Sequence, residues 1–228
     1  MFRILLARHG ESIWNQDSKF TGWTNIPLTL RGKKEAAQMA LTMKENNIIP
    51  TIIFSSVLQR SIDTSQIIQK TLEVDIPIHT SWRLNEKHYG TLEGVPRNYI
   101  RDLYGEKFTT VMRSHYTMKP PIITPSPETY PVYKNCYFET IKHGESIENV
   151  LQRFLPYYEN DILYTVKEKN VPLIVTHKHT ARVLMKHLMK LDDAKFEKYE
   201  LPKSMLLITL DNQLNYINQT PLDVKVER

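Results

Sequence analysis

The chain reads as an α/β protein, a three-layer sandwich on a mostly parallel central sheet. Its strand-like segments are short apolar runs without alternation, the pattern of strands covered on both faces. Amphipathic helical stretches lie between them, and alternation of strand and helix is what such a sheet requires. The 228 residues can bury a sizeable core, and 41% hydrophobic with 24% charged residues excludes global disorder and a fibrous structure.

The elements follow in order. Phe2–Ala7 is the first strand. Residues 32–46 set Glu35, Ala36, Ala37, Met39, Ala40 and Met43 at helical spacing until Asn46-Asn47 ends the run. Ile52–Ser55 is a second strand, and residues 57–70 carry Leu58, Ile62, Ser65 and Ile68 on one helical face. Ile76–His79 is a third strand. Residues 145–168 form a long stripe from Ile147 to Ile162, with Pro156 placed to bend it. Leu173–Thr176 and Met205–Leu210 are the last two strands, with a helix at 178–190 between them. Segment 113–143 differs: it holds five prolines between Pro120 and Pro131, several tyrosines and no helical period, and reads as a lid or site-covering excursion. No repeat or Gly/Ser linker interrupts residues 1–228, which are expected to form one domain.

Lys and Arg number 30 against 25 Asp and Glu, a net charge of +5 with a pI near 9.1. That balance suits acidic partners, but the cations are scattered, with no dense basic run and no recognition motif, so nucleic acid is not expected. One cysteine, Cys136, has no internal disulfide partner and no activating motif around it. The apolar run at Met1–Arg8 is too short for a signal peptide, and nothing approaches the roughly 18 unbroken apolar residues of a membrane helix. A cytoplasmic protein is the expectation.

The chemistry-bearing residues gather at predicted strand ends. The first strand runs into Arg8-His9-Gly10-Glu11-Ser12. A neutral histidine nitrogen attacks phosphorus without prior deprotonation, and Arg8 offers a planar fork of donors for phosphate oxygens. Asn15 adds a neutral donor, and a turn at Thr21-Gly22 brings backbone amides towards an anion. Ile52–Ser55 leads into a helix bearing Arg60, and Leu173–Thr176 ends at His177, so two more strand ends present a cation or potential cation. Phosphoryl transfer also needs a proton donor for the leaving oxygen. Glu86, within Trp82-Arg83-Leu84-Asn85-Glu86-Lys87-His88-Tyr89-Gly90, is the candidate, in aromatic surroundings that can raise its pKa, although by composition alone it is equally a salt-bridge partner of Arg83 or Lys87. His177 and His179 lack an acidic third ligand, so no metal is expected.

Arg8-His9-Gly10-Glu11-Ser12 with Trp14-Asn15, Phe20-Thr21-Gly22-Trp23 and Leu28 resembles the opening signature of the cofactor-dependent phosphoglycerate mutases, in the histidine phosphatase superfamily. Ser56–Ser61 with Thr64, Trp82–Gly90, Gly144-Glu145-Ser146 and Arg153 with Leu155-Pro156-Tyr157 continue it in order. The resemblance spans nearly the whole chain. It implies a phosphoglycerate-mutase-like fold and a phosphohistidine at His9. Arg8, Arg60 and His177 would clamp the transferred phosphate, Glu86 would be the general acid and base, and Asn15, Thr21, Gly22 and Tyr89 would contact substrate. The implied cofactor is 2,3-bisphosphoglycerate as phosphoryl primer, with a phosphoglycerate as substrate.

Departures from that pattern cluster around the substrate. Lys178-His179-Thr180-Ala181-Arg182 stands where these mutases carry Gly-Asn-Ser-Leu-Arg, Arg113-Ser114 where they carry paired arginines, Pro96-Arg97 for Asn-Lys, and Pro202-Lys203-Ser204 for Pro-Thr-Gly. A cation at a helix N-terminus opposes the helix dipole, so Lys178 either reaches the phosphate or obstructs the backbone contact. Arg97, Arg113 and Lys178 remain to hold a second anionic group. The leading expectation is a 2,3-bisphosphoglycerate-dependent mutase interconverting 2- and 3-phosphoglycerate. The alternatives are a histidine phosphatase on a small phosphate ester and a catalytically weakened phosphometabolite-binding protein. A homo-oligomer is compatible with the sequence, which marks no interface stripe.

Overall fold

The computed structural model describes residues 1–121, 144–168, 170–202 and 205–225. Among them a six-stranded sheet runs in the order β3-β2-β4-β1-β5-β6: β1 Phe2–Arg8, β2 Ile52–Ser55, β3 Ile78–Thr80, β4 Pro172–Thr176, β5 Met205–Leu210 and β6 Tyr216–Leu222. The β1–β4, β2–β4 and β2–β3 pairs are parallel, while β5 is antiparallel to both β1 and β6. The third strand lies two residues later than its apolar run suggests, and β6 carries no apolar run at all. It is an edge strand whose side chains are largely solvated, so burial leaves no imprint on its sequence.

Alternating side chains of β1 explain the three layers. Ile4 and Leu6 join Phe54, Ile174, Leu206 and Ile208 in a core against α5 (Ile147–Tyr157) and α7 (Lys178–Leu188). Leu5 and Ala7 join Ile53, Leu173, Val175 and Met205 against α2 (Leu30–Glu45) and α3 (Gln59–Leu72). Both faces are covered, as unbroken apolar strands require.

Side-chain caps fix the helix starts: Thr29 Oγ1 accepts from Gly32 N–H at 3.0 Å, and Ser146 forms a capping box with Asn149. The long stripe at 145–168 is not one helix. After Pro156, which cannot donate to the preceding turn, the chain widens into a π turn at Tyr158–Ile162 before α6 (Leu163–Lys167). Short α1 (Ile13–Gln16), α4 (Arg97–Ser114) and α8 (Asp193–Lys198) complete the helices used below. Arg113 and Ser114 thus end a helix, where a lid was expected to begin. Most of the expected lid, 122–143 with Cys136, lies outside the described residues, as do Lys203 and Ser204. No described helix is long and apolar enough to cross a membrane.

Candidate active site

Because β1, β2 and β4 are parallel neighbours, their carboxyl ends open on one edge, where α/β sheets present ligands. Arg8 is in register with Thr176, and His9 N–H donates to the Thr176 carbonyl at 3.0 Å. The next residue of each strand is a histidine, and the His9 and His177 rings lie 4.8 Å apart between centroids at 55°. His9 Nδ1 is 2.7 Å from the Gly10 carbonyl, which only accepts, so Nδ1 carries the proton and Nε2 keeps its lone pair. Burial, then the charges of Arg60 and Arg8, hold His9 well below its usual pKa, so the imidazole is neutral. Gly10 lies against the backbone of Gly32 with no space for a Cβ, which seats this turn on the start of α2.

His177 is also neutral. Burial, followed by Arg60, pushes its pKa well down, so this strand end presents a neutral imidazole and not the potential cation expected. Its Nε2 is 2.8 Å from Ser56 Oγ, and its Nδ1 is buried without a hydrogen-bond partner among the described residues.

Arg60, in the first turn of α3, donates to the Gly22 carbonyl at 2.7 Å and the Thr24 carbonyl at 2.9 Å. The turn it grips needs glycine: Gly22 has φ +50, and a side chain there would run into Glu93. The Glu93 carboxylate accepts from the Trp23 and Thr24 amides, each at 2.9 Å, which locks the turn. Thr21 Oγ1 is buried here with no hydrogen-bond partner among the described residues. Asn15 Oδ1 accepts from Arg8 Nη2 and from Ser12 N–H, both at 3.3 Å, which leaves its NH2 group for a ligand.

Glu86 is fixed at both ends. Its carbonyl accepts from Trp23 Nε1 at 2.6 Å and Arg153 Nη2 at 2.8 Å. Arg153 also donates to the carbonyls of Arg83 at 2.7 Å and Asn85 at 2.8 Å, and pairs with Glu145 at 2.7 Å. Sequence reasoning reached Glu145 and Arg153 only through the family resemblance; nothing in their spacing announces a clamp on the 82–86 loop. Oε1 of Glu86 accepts from Lys87 N–H at 2.8 Å and from the backbone N–H and ring Nδ1 of His179, both at 3.1 Å.

That arrangement corrects the expected pKa. Burial does push the carboxyl up, but the donors of His179 and the Lys87 amide outweigh it and hold Glu86 well below the usual carboxylate range. His179 itself is lowered to about 4 by burial, against the pull of Glu86, so at neutral pH it is an uncharged donor to a charged acceptor. The sequence presented His179 as half of a weak metal pair and as a departure from the family; its bond to Glu86 was not foreseen.

A cavity of about 150 Å³ collects these groups. It is lined by Arg8, His9, Asn15, Thr21, Gly22, Arg60, Glu86, Tyr89, Arg97, Arg113, Lys178 and His179, so every expected site residue but His177 reaches it, and His177 stands directly behind His9. Arg97 and Arg113 come from the two ends of α4, and Arg113 hydrogen-bonds Tyr89, whose pKa burial raises. Lys178 is lowered by partial burial and then by Arg113, Arg182 and Arg8. Ser114 does not face the site; its hydroxyl donates to the Thr110 carbonyl at 2.8 Å. A larger neighbouring space of about 530 Å³ shares Arg8, His9 and Lys178 as lining. Among the described residues, no three His, Cys, Asp or Glu side chains gather as a metal site requires.

The profile of the histidine phosphatase superfamily (branch 1) matches residues 4–215. The chain is 40% identical over 197 residues to the 2,3-bisphosphoglycerate-dependent phosphoglycerate mutase of Buchnera aphidicola, covering 84% of this chain and 86% of that one. It is 34% identical to 2,3-bisphosphoglycerate-dependent phosphoglycerate mutase 2 of Bacteroides thetaiotaomicron, covering 96% and 90%. Among solved structures, the mycobacterial glucosyl-3-phosphoglycerate phosphatase superposes with a TM-score of 0.75 at 20% identity over 99% of this chain and 100% of that one, and shares the fold. The strand-end histidines, the arginines beside them and these relatives agree: the chain belongs to the histidine phosphatase superfamily, within the family of the 2,3-bisphosphoglycerate-dependent phosphoglycerate mutases.

Proposed function

We propose that this enzyme interconverts 2- and 3-phosphoglycerate through a phosphohistidine at His9, primed by 2,3-bisphosphoglycerate. The observation that carries the reading is the double set of cations in one cavity. Arg8 and Arg60 flank neutral His9, while Arg97, Arg113 and Lys178 supply charge for a second anionic group. Hydrolysis of a phosphate ester needs only the first set. The names of the relatives support the same substrate.

The residues present fit the primer. Thr21 Oγ1 and His177 Nδ1 are buried with no hydrogen-bond partner among the described residues, and the cations lining the cavity match the charge of the primer. When bound, the primer supplies the first phosphoryl group. Nε2 of His9 would carry that group, and Arg8, Arg60 and His177 would hold its equatorial oxygens, stabilisation already in place before the charge develops. In the return transfer the substrate hydroxyl attacks phosphorus, the N–P bond breaks and its electron pair returns to Nε2. Ionised Glu86 takes the hydroxyl proton as this occurs, and in the opposite direction gives that proton to the leaving oxygen. A depressed pKa suits the base half of this cycle. Phosphoryl charge brought close to Glu86 raises its proton affinity for the acid half.

The test is conversion of 3- to 2-phosphoglycerate with and without trace 2,3-bisphosphoglycerate, with released phosphate measured in the same tube and His9→Ala as the blank. Primer-dependent isomerisation that needs His9 and releases little phosphate is the expected result. Phosphate release without isomerisation would make the protein a phosphatase, and ligand binding without turnover in either form would make it a binding protein.

A further inference from the structure

Glu86 divides its two oxygens between the protein and the cavity. Oε1 receives three donors, two of them from one residue, while Oε2 has no hydrogen-bond partner among the described residues and belongs to a side chain lining the cavity. We propose that His179 is a positioning residue for phosphoryl transfer: its backbone N–H and its ring Nδ1–H together pin Oε1, so that Oε2 is the oxygen presented to the reacting group. The proposal rests on the acid–base role of Glu86 in the preceding reading.

The geometry supports a built contact. His179 is only 3% exposed, and its ring meets Tyr89 edge-on with centroids 6.1 Å apart. The start of α7 is docked on the same loop, since Thr180 Oγ1 donates to the Asn85 carbonyl at 2.5 Å. A carboxylate accepts only, so the bond fixes the Nδ1–H tautomer. An apolar side chain at 179 would remove a charge-assisted donor, and a permanent cation would hold Glu86 ionised through the step in which it must carry a proton. A neutral imidazole does neither.

The acid limb of the reaction should therefore depend on this residue. The charged and titratable groups facing the pair are Lys87 and Tyr89 beside Glu86, His177 at the end of β4, Lys178 and Arg182 from α7, Arg97 and Arg113 from α4, Arg60 from α3, and Arg8 and His9 at the end of β1. All of these remain when His179 is replaced. The loss of its ring donor raises the proton affinity of Glu86 and disables the base at a higher pH.

The experiment measures discharge of the His9 phosphoenzyme to 3-phosphoglycerate by rapid quench across pH, in wild type, His179→Ala and His179→Asn. Asn can place an amide N–H where Nδ1–H stood. The Ala variant is expected to discharge about tenfold more slowly, a typical loss for a hydrogen bond to a charged group, with KM little changed and the acid limb moved up by about one pH unit. The Asn variant should recover most of the rate and the limb. Equal behaviour of Ala and Asn, or an unmoved limb in Ala, overturns the proposal. 15N NMR of the histidines in the wild-type protein supplies a readout independent of variant folding: His179 should be the neutral Nδ1–H tautomer at pH 7, and an Nε2–H tautomer would overturn it. If wild type forms no phosphoenzyme, the preceding reading fails, while the tautomer still decides whether His179 holds Glu86.

Discussion

At the scale of single residues, the site is built from neutral histidines and permanent cations, with Glu86 as the one carboxylate lining the smaller cavity among the described residues. Its counterweight is specific, and so is the expected effect of removing its charge. Glu86→Gln keeps size and most of the hydrogen bonding, so binding of a phosphoglycerate should be preserved. Transfer through His9 should slow by roughly 10²- to 10⁴-fold, the usual range for a general acid–base group. Single-turnover kinetics against a binding isotherm separates the two, and unchanged turnover would remove Glu86 from its role. The residue scale was also where the sequence was most legible. Arg8, His9 and His177 sit at the ends of short apolar runs and Arg60 in the helix that follows one, and a run of buried strand shows its end plainly. His179 was not legible in the same way. Its meaning depends on a carboxylate 93 positions away along the chain, and no local spacing carries that information.

At the scale of elements, a loop without regular structure is made rigid by a buried ion pair. Arg153 of α5 and Glu145 before it are nearly inaccessible, and between them they tie down residues 83–88: Arg153 takes the carbonyls of Arg83, Asn85 and Glu86, and Glu145 accepts from His88 N–H at 2.8 Å. Arg153→Met removes the fork and strands the Glu145 carboxylate. We expect a loss of about 3–5 kcal/mol of stability, measured by denaturant unfolding, and a fall in kcat from displacement of Glu86. A variant as stable as wild type would show that the loop holds itself. Helix periodicity exposed α2, α3 and α7 because each buries a stripe against the sheet. It did not expose α4, whose buried residues are few and which is interrupted at Gly105 with φ +83; Pro156 marked a bend, but not its form as a π turn, because the apolar stripe continues unchanged while the hydrogen bonding does not.

At the scale of the whole molecule, the sheet brings His9, His177 and His179 into the interior, and the fold must keep all three uncharged. Each has a folded pKa below its unfolded value near 6.5, His179 at about 4. Below pH 6.5 the unfolded chain binds protons that the folded chain refuses, so stability is full above that value and declines as pH falls towards the folded pKa values. Three such groups together give a slope approaching ~4 kcal/mol per pH unit, at ~1.4 for each. Thermal unfolding between pH 7 and pH 5 should show this decline, and His177→Gln, which removes one titrating group, should make it shallower. A melting temperature flat across that range would mean that these imidazoles are not held neutral by the fold.

The pairing of β1 with β4 also has a bearing on how this protein tolerates change. The two histidines are neighbours because the two strands end at the same rung, Arg8 opposite Thr176, and a histidine follows each. In a ladder every step of one residue exchanges the two faces of the sheet, so a single insertion or deletion within either strand would turn one imidazole away from the other. Substitutions of side chains around the pocket leave this register intact. Length changes in these two short strands cannot, and libraries that vary the spacing of β1 or β4 should yield folded, inactive proteins at best.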